Sequence, residues 1–177
     1  KKKKIKNSNI IAIDPLLDFF KKEIKFLKEN KNLKLLSNQG ESINLQDNSV
    51  DIIFCTNVLD HCENPNLVID ECFRILKPSG IFLPSTHVVY NYLDFVSSYI
   101  KYFDQNHPHH LTEVKMKKIL FSKFTSTKTV NRFSMAIDQR KFTFLNIFKS
   151  KDVFRGFKRY MSNFVLYTCY FKCVKKK

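Results

Sequence analysis

Residues 40–61, followed by Arg74-Ile75-Leu76-Lys77-Pro78-Ser79-Gly80, constrain the fold of this chain more than any other stretch. Residues 50–55 form a short apolar run opened by the turn formers Asp47-Asn48-Ser49, the pattern of a strand buried on both faces of a parallel sheet. A helix is expected over 66–76, with Leu67, Ile69, Cys72, Phe73 and Leu76 mostly on one stripe. Residues 77–80 end it, because Pro78 cannot continue a helix and Gly80 accepts a turn. In open α/β sheets ligands lie beyond the carboxyl ends of the strands, so Thr56, Asn57 and their neighbours are the first place to look for chemistry.

The rest of the chain repeats the alternation. Strands are expected at 9–13, 33–37, 81–85, 125–133 and 164–174, and helices at 16–29, 90–103 and 113–121. Pro15 suits the first turn of the first helix and Thr112 is an N-cap for the last. Residues 139–160, rich in Lys and Phe, favour neither state. Strands alternating with helices predict a doubly wound, mostly parallel α/β sheet.

At 177 residues, 44% of them hydrophobic, the chain can bury a core as one domain spanning 1–177. The formal net charge of +15 invites a polyanion partner. Only Arg74, Arg132, Arg140, Arg155 and Arg159 are arginines among 31 basic residues, however, and no base-stacking motif is interleaved with them. Lysine on solvated faces accounts for the charge, and binding to RNA or an anionic surface is the alternative reading. Cys55, Cys62, Cys72, Cys169 and Cys173 form no C-x-x-C pair or zinc rhythm, which suits a reducing compartment. No signal peptide opens the chain and no run is apolar enough for a transmembrane helix, so a cytoplasmic location is expected. The sequence does not specify an oligomeric state.

These blocks resemble the class I S-adenosylmethionine-dependent methyltransferases of the small-molecule, type 11 branch. Asp14 matches the acidic residue ending that family's second strand. Residues 40–51 match its segment leading into the fourth strand, Asn57-Val58-Leu59-Asp60-His61 its "N-V-L-x-H" turn, and residues 74–80 its "R-x-L-K-P-G-G". His107-Pro108-His109-His110-Leu111-Thr112 resembles a segment that many members carry before their last helix. Asn44 replaces the usual Pro, and Ser79 the first Gly of the last motif. The family's glycine-rich loop has no counterpart, since the glycines are Gly40, Gly80 and Gly156. The resemblance therefore implies a Rossmann-like methyltransferase domain with an antiparallel last strand and without its first. The chain is then either a fragment whose missing front end carries the loop or a degenerate member, with a non-catalytic partner protein on the degenerate fold as a further alternative. Because that first strand lies between the second and fourth, the strands at 9–13 and 50–55 are expected either to close on each other or to leave a gap.

The resemblance also implies S-adenosyl-L-methionine as cofactor and a small-molecule methyl acceptor. Asp14 is placed on the ribose hydroxyls, with a helix cap as the alternative; Gln39 and Gly40 at the adenine; and Asn57 and Val58 beneath the cofactor. His61 is the catalytic candidate, a base for a hydroxyl or amine, or else a packing or capping residue. His107, His109 and His110 lack a carboxylate or cysteine set at ligand spacing, so no metal is expected. Glu41 is a turn carboxylate or a cap, and Asp51 is structural.

Overall fold

The computed structural model describes residues 8–23, 33–103, 108–133 and 165–176. The elements run β1 (Ile10–Ile13), α1 (Leu17–Glu23), β2 (Leu33–Leu36), β3 (Val50–Thr56), α2 (Pro65–Ile75) and β4 (Leu76–Val89). A 3-10 turn, Asn91–Leu93, then precedes α3 (Asp94–Phe103), α4 (Glu113–Lys123), β5 (Ser126–Phe133) and β6 (Leu166–Val174). His107 and residues 24–29 and 139–160 of the sequence reading lie outside the described residues.

Two hydrogen-bonded ladders form. β1 and β2 pair in parallel as a two-stranded sheet. The larger sheet has the order β3-β4-β6-β5, with β3 parallel to β4 and β6 antiparallel to both its neighbours. β3, β4 and β5 therefore point one way and β6 alone runs against them, the mostly parallel sheet with a reversed last strand that the sequence predicts. No ladder joins β1 to β3. Direct closure of the two strands on each other, the first of the two expected outcomes, does not occur among the described residues.

The core lies where α2 and α4 pack on β4 and β6. It holds Val68, Ile69 and Cys72 of α2, Phe82 and Val88 of β4, Met116 and Leu120 of α4, and Phe171 and Cys173 of β6. Phe124, just past α4, stacks on Phe82 at 5.4 Å and takes the edge of Phe73 at 5.5 Å. α2 starts cleanly because Asn64 accepts from the N–H groups of Asn66 and Leu67 and Pro65 opens the first turn. At its other end Lys175 Nζ donates to the carbonyls of Phe73 and Leu76 at 2.6 and 2.7 Å, lying 4.5 Å over the Phe73 ring. Glu113 ties α4 to the last two strands. Its carboxylate accepts from Arg132, Lys117, Thr129 and Tyr167, and the Arg132 guanidinium first among these holds its carboxyl well below the usual range.

Three sequence expectations need correction. Residues 50–55 are not buried on both faces: Cys55 is buried, but Ile52 and Phe54, which share the opposite face, are 48% and 74% exposed, because no described element covers that face. The strand expected at 81–85 runs from Leu76 to Val89. Its first residues still turn: the register passes from Val50↔Leu76 to Ile52↔Ile81, so residues 77–80 loop out of the ladder. Pro78 brings no donor to a ladder, and Ser79 adopts a left-handed φ of 62°. The segment 90–103 likewise starts as a 3-10 turn and becomes α-helical only at Asp94.

Candidate functional site

The chain reaches the carboxyl ends of β1, β2 and β3 in three short turns. Asp14 directly follows β1, its N–H bonded to the Leu36 carbonyl at 3.3 Å and its Oδ1 accepting from the Leu16 N–H at 2.8 Å. The capping contact is therefore present, with the side chain solvent-facing at the strand end. Gln39, past β2, is exposed, and its carbonyl accepts from the Ser42 N–H. Gly40 presses against α2: a Cβ there would stand 3.3 Å from both methyls of Val68, so a larger residue would push the turn outward.

Arg74 fixes the rest of this turn. It donates to Glu71, to Asp47 and to the carbonyls of Ile43 and Leu45, while Glu71 accepts from the Ile43 N–H. Glu41 is a cap, its Oε1 accepting from the N–H groups of Glu63 and Asn64 ahead of α2. Asp51 pairs with Lys77 at 2.9 Å on the surface, the structural role expected.

After β3, Asn57 takes φ 55°, a left-handed position that asparagine tolerates, and its N–H reaches the Ser85 carbonyl of β4. The Asn57 amide donates to His61 Nε2 at 3.1 Å, so these two expected site residues meet, while Val58 packs on the core. Beneath them is a pair that the sequence reading did not select. Asp60, 1% exposed, lies 2.7 Å from His87 Nδ1 of β4, two residues beyond the last β4 residue paired with β3. Burial pushes the Asp60 carboxyl up, but the hydrogen bond and charge of His87 outweigh it and hold the group below its ordinary value. Cys62 is no competing nucleophile, since burial and then the Glu41 charge push its thiol up to about 12. His109 Nε2 donates to the carbonyls of Cys62 and Glu63 at 2.9 and 3.0 Å, stapling the segment before α4 to this turn. No group of three or more metal-ligating side chains converges among the described residues.

Residues 3–83 match a family described as a methyltransferase domain. Human Thiol S-methyltransferase TMT1A is 35% identical over 83 residues, covering 45% of this chain and 34% of that protein. Ubiquinone biosynthesis O-methyltransferase of Psychrobacter cryohalolentis is 30% identical over 73 residues, covering 32% of this chain and 28% of its own length. The chain thus matches about a third of the length of these curated relatives. A putative sarcosine dimethylglycine methyltransferase from Galdieria sulphuraria superposes with a TM-score of 0.72 at 16% identity, covering 95% of this chain and 70% of that one. Geranyl diphosphate C-methyltransferase from Streptomyces coelicolor gives 0.70 at 9%, covering 94% and 61%. These two likenesses establish the fold. Residues 3–83 are thus similar to a methyltransferase domain, and the fold is one shared with solved methyltransferases.

Within this site, His87 was legible by the same strand-end rule that selected Asn57. It was missed because the fourth strand was read as ending at Ser85, whereas β4 continues and carries His87 past the end of β3. Asp60 occupies the variable position of the family's turn, so no motif marked it. Among the described residues no helix is long and apolar enough to cross a membrane.

Proposed function

We propose that this chain takes part in transferring a methyl group from S-adenosylmethionine to a small-molecule acceptor, with the cofactor across the carboxyl ends of β1, β2 and β3. The observation that carries the reading is the set of groups at those ends: Asp14 after β1, Gln39 and Gly40 after β2, Asn57 and Val58 after β3. Asp14 is exposed and oriented by its Leu16 contact, which suits a carboxylate that accepts from two ribose hydroxyls. The Gln39–Gly40 turn, held against Val68, offers an amide and backbone groups to a base edge, and the Asn57–Val58 turn forms the floor.

Bound S-adenosylmethionine supplies an activated methyl on a sulfonium, so the protein's part is to align the acceptor behind that methyl and to exclude water. Exposed Tyr92, Phe95 and Tyr99, spaced three and four residues apart after β4, form an apolar wall suited to an organic acceptor. The names of the relatives, thiol S-methyltransferase and O-methyltransferase, favour sulfur or oxygen as the accepting atom. All five cysteines are free thiols, in keeping with reaction in the cytoplasm.

Calorimetric titration of the intact protein with S-adenosylmethionine tests the reading. Asp14→Ala is expected to weaken binding by about 1.5–3 kcal/mol through loss of charge-assisted ribose contacts. Unchanged affinity would return Asp14 to a helix cap, and an intact protein that takes up no cofactor would overturn the function.

A further inference from the structure

We propose that the methyl acceptor is a neutral, planar aromatic compound, and that it stacks on Tyr92 as the next ring of a ladder built by Tyr167, Tyr90 and Tyr92. The proposal rests on the methyl-transfer reading above and names the class of its acceptor.

Three elements of the fold build the ladder. Tyr167 of β6 pairs with Val88 of β4 and is 7% exposed, and its hydroxyl donates to the buried Glu113 carboxylate at 2.9 Å, so the innermost ring is fixed. Tyr90, just past β4, sets its ring 4.6 Å from that of Tyr167 at an interplanar angle of 32°. The backbone of Tyr90 is held as well, its N–H donating to the Val165 carbonyl at 3.2 Å and its carbonyl accepting from the Leu93 N–H at 2.8 Å. Tyr92, in the 3-10 turn, stacks on Tyr90 at 5.5 Å and 25°. Both spacings are those at which offset aromatic rings attract one another. Burial falls along the ladder from Tyr167 in the core to Tyr92, which is 69% exposed. The ladder therefore ends on a ring that faces solvent and is held in place before a ligand arrives, which lowers the entropy lost on binding.

The position and the surroundings fit an acceptor. β4 runs past Thr56↔Ser85, its last pair with β3, so Tyr90 and Tyr92 follow it beyond the same strand end as Asn57. Phe95 and Tyr99, 75% and 63% exposed, continue the surface along α3 at helical spacing. Three large aromatic side chains exposed within eight residues exceed a scatter of single apolar residues, and such patches mark binding surfaces. The one charged side chain between Tyr90 and Tyr99 is Asp94, and Lys115 of α4 pairs with it at 2.7 Å, which favours a neutral ligand. A saturated ring or chain would gain only buried area here, whereas a flat ring also gains the oriented attraction between aromatic faces.

The test uses the intact protein saturated with S-adenosylhomocysteine. Its probes are 2-naphthol and decahydro-2-naphthol, which share a carbon skeleton and a hydroxyl while only the first is planar. Binding is read by calorimetry and proton NMR, so no turnover is needed. 2-Naphthol is expected to bind roughly 2–10-fold tighter than the saturated alcohol, with its ring-proton signals moved upfield by the tyrosine rings. Overhauser contacts are expected between 2-naphthol and the methylene protons beside the S-adenosylhomocysteine sulfur. Tyr92→Ala should remove the preference and the upfield shift, and Tyr92→Phe should keep both. The comparison of probes on the unaltered protein serves even if Tyr92→Ala fails to fold. Equal or tighter binding of decahydro-2-naphthol, as a merely apolar surface would give, would overturn the proposal. So would an absence of 2-naphthol binding, an unchanged preference in Tyr92→Ala, or a bound naphthol without contacts to the cofactor product. Failure to take up S-adenosylhomocysteine at all would instead sink the methyl-transfer reading, and the acceptor role of the ladder with it.

Discussion

The β1–β2 ladder and the β3-β4-β6-β5 sheet use similar apolar residues to different effect. Ile10–Ile13 and Leu33–Leu36 are four residues each, and none of their side chains is buried. In the larger sheet Phe82, Val88, Cys169, Phe171 and Cys173 are all at most 1% exposed, because helices α2 and α4 and a neighbour on each side cover β4 and β6. An apolar run thus reports that a strand wants cover, and the neighbours decide whether it gets it. β3 shows this within one element: Cys55 is buried while Phe54 is 74% exposed. The proposed site straddles this boundary, with Asp14, Gln39 and Gly40 on the lightly covered side and Asn57 on the packed side.

If that contrast is right, the two regions should respond very differently to truncation. Phe82→Ala removes a ring stacked on Phe124 in the closed core and is expected to cost about 3–5 kcal/mol, whereas Ile11→Ala in half-buried β1 should cost about 1 kcal/mol or less. Urea unfolding of both variants measures this, with hydrogen exchange of β1 and β6 amides to show whether β1 opens locally. Equal costs would mean that the two ladders unfold as one equally packed unit.

Acid should also separate the regions. Glu113 clamps α4 to β5 and β6, and its carboxyl is depressed in the folded state, first by Arg132. A depressed carboxylate contributes stability that is fully present above its unfolded pKa, about 4.3, and is lost as pH falls through the lower folded value. The expected result is that stability falls on acidification below about pH 5, that Glu113→Gln costs about 2–3 kcal/mol at pH 7, and that this cost shrinks with acidification. A cost independent of pH would place the effect in packing alone.

Much of the larger sheet was legible because its signals are local. The Asp47-Asn48-Ser49 turn, the stripe of α2 and the Thr112 cap each specify their own segment, and Thr112 does accept from the Lys115 N–H. The strand-end rule likewise placed Asn57. What escaped was long-range: β4 continues beyond Ser85 because β6, far away in sequence, pairs with it as far as Val89↔Leu166. With that extension hidden, the meeting of His87 with Asp60 was hidden too. The exposure of Ile52 and Phe54 was illegible for a related reason, since periodicity reports apolar demand and not which face of a strand other elements cover.

The smallest expected effect lies where β4 leaves α2. Residues 77–80 loop out of the β3–β4 ladder, and Ser79 holds φ 62° at a position where the family usually has glycine. A left-handed conformation costs a residue with a Cβ roughly 1–2 kcal/mol, while glycine adopts it without that cost but loses roughly 0.5–1 kcal/mol more chain entropy on folding. The difference leaves Ser79→Gly a net stabilisation of roughly 0–1.5 kcal/mol. The adjacent Gly80 sets the opposite sign: a Cβ there would lie 2.7 Å from Leu76 Cγ and 2.8 Å from the Lys77 carbonyl, so Gly80→Ala should destabilise by about 1–3 kcal/mol. Because the loop anchors the larger sheet, Ser79→Gly should slow exchange of the β4 and β6 amides and leave β1 and β2 unchanged. Equal slowing in both ladders would show that β1–β2 opens only with the whole molecule, which would erase the contrast between the two regions.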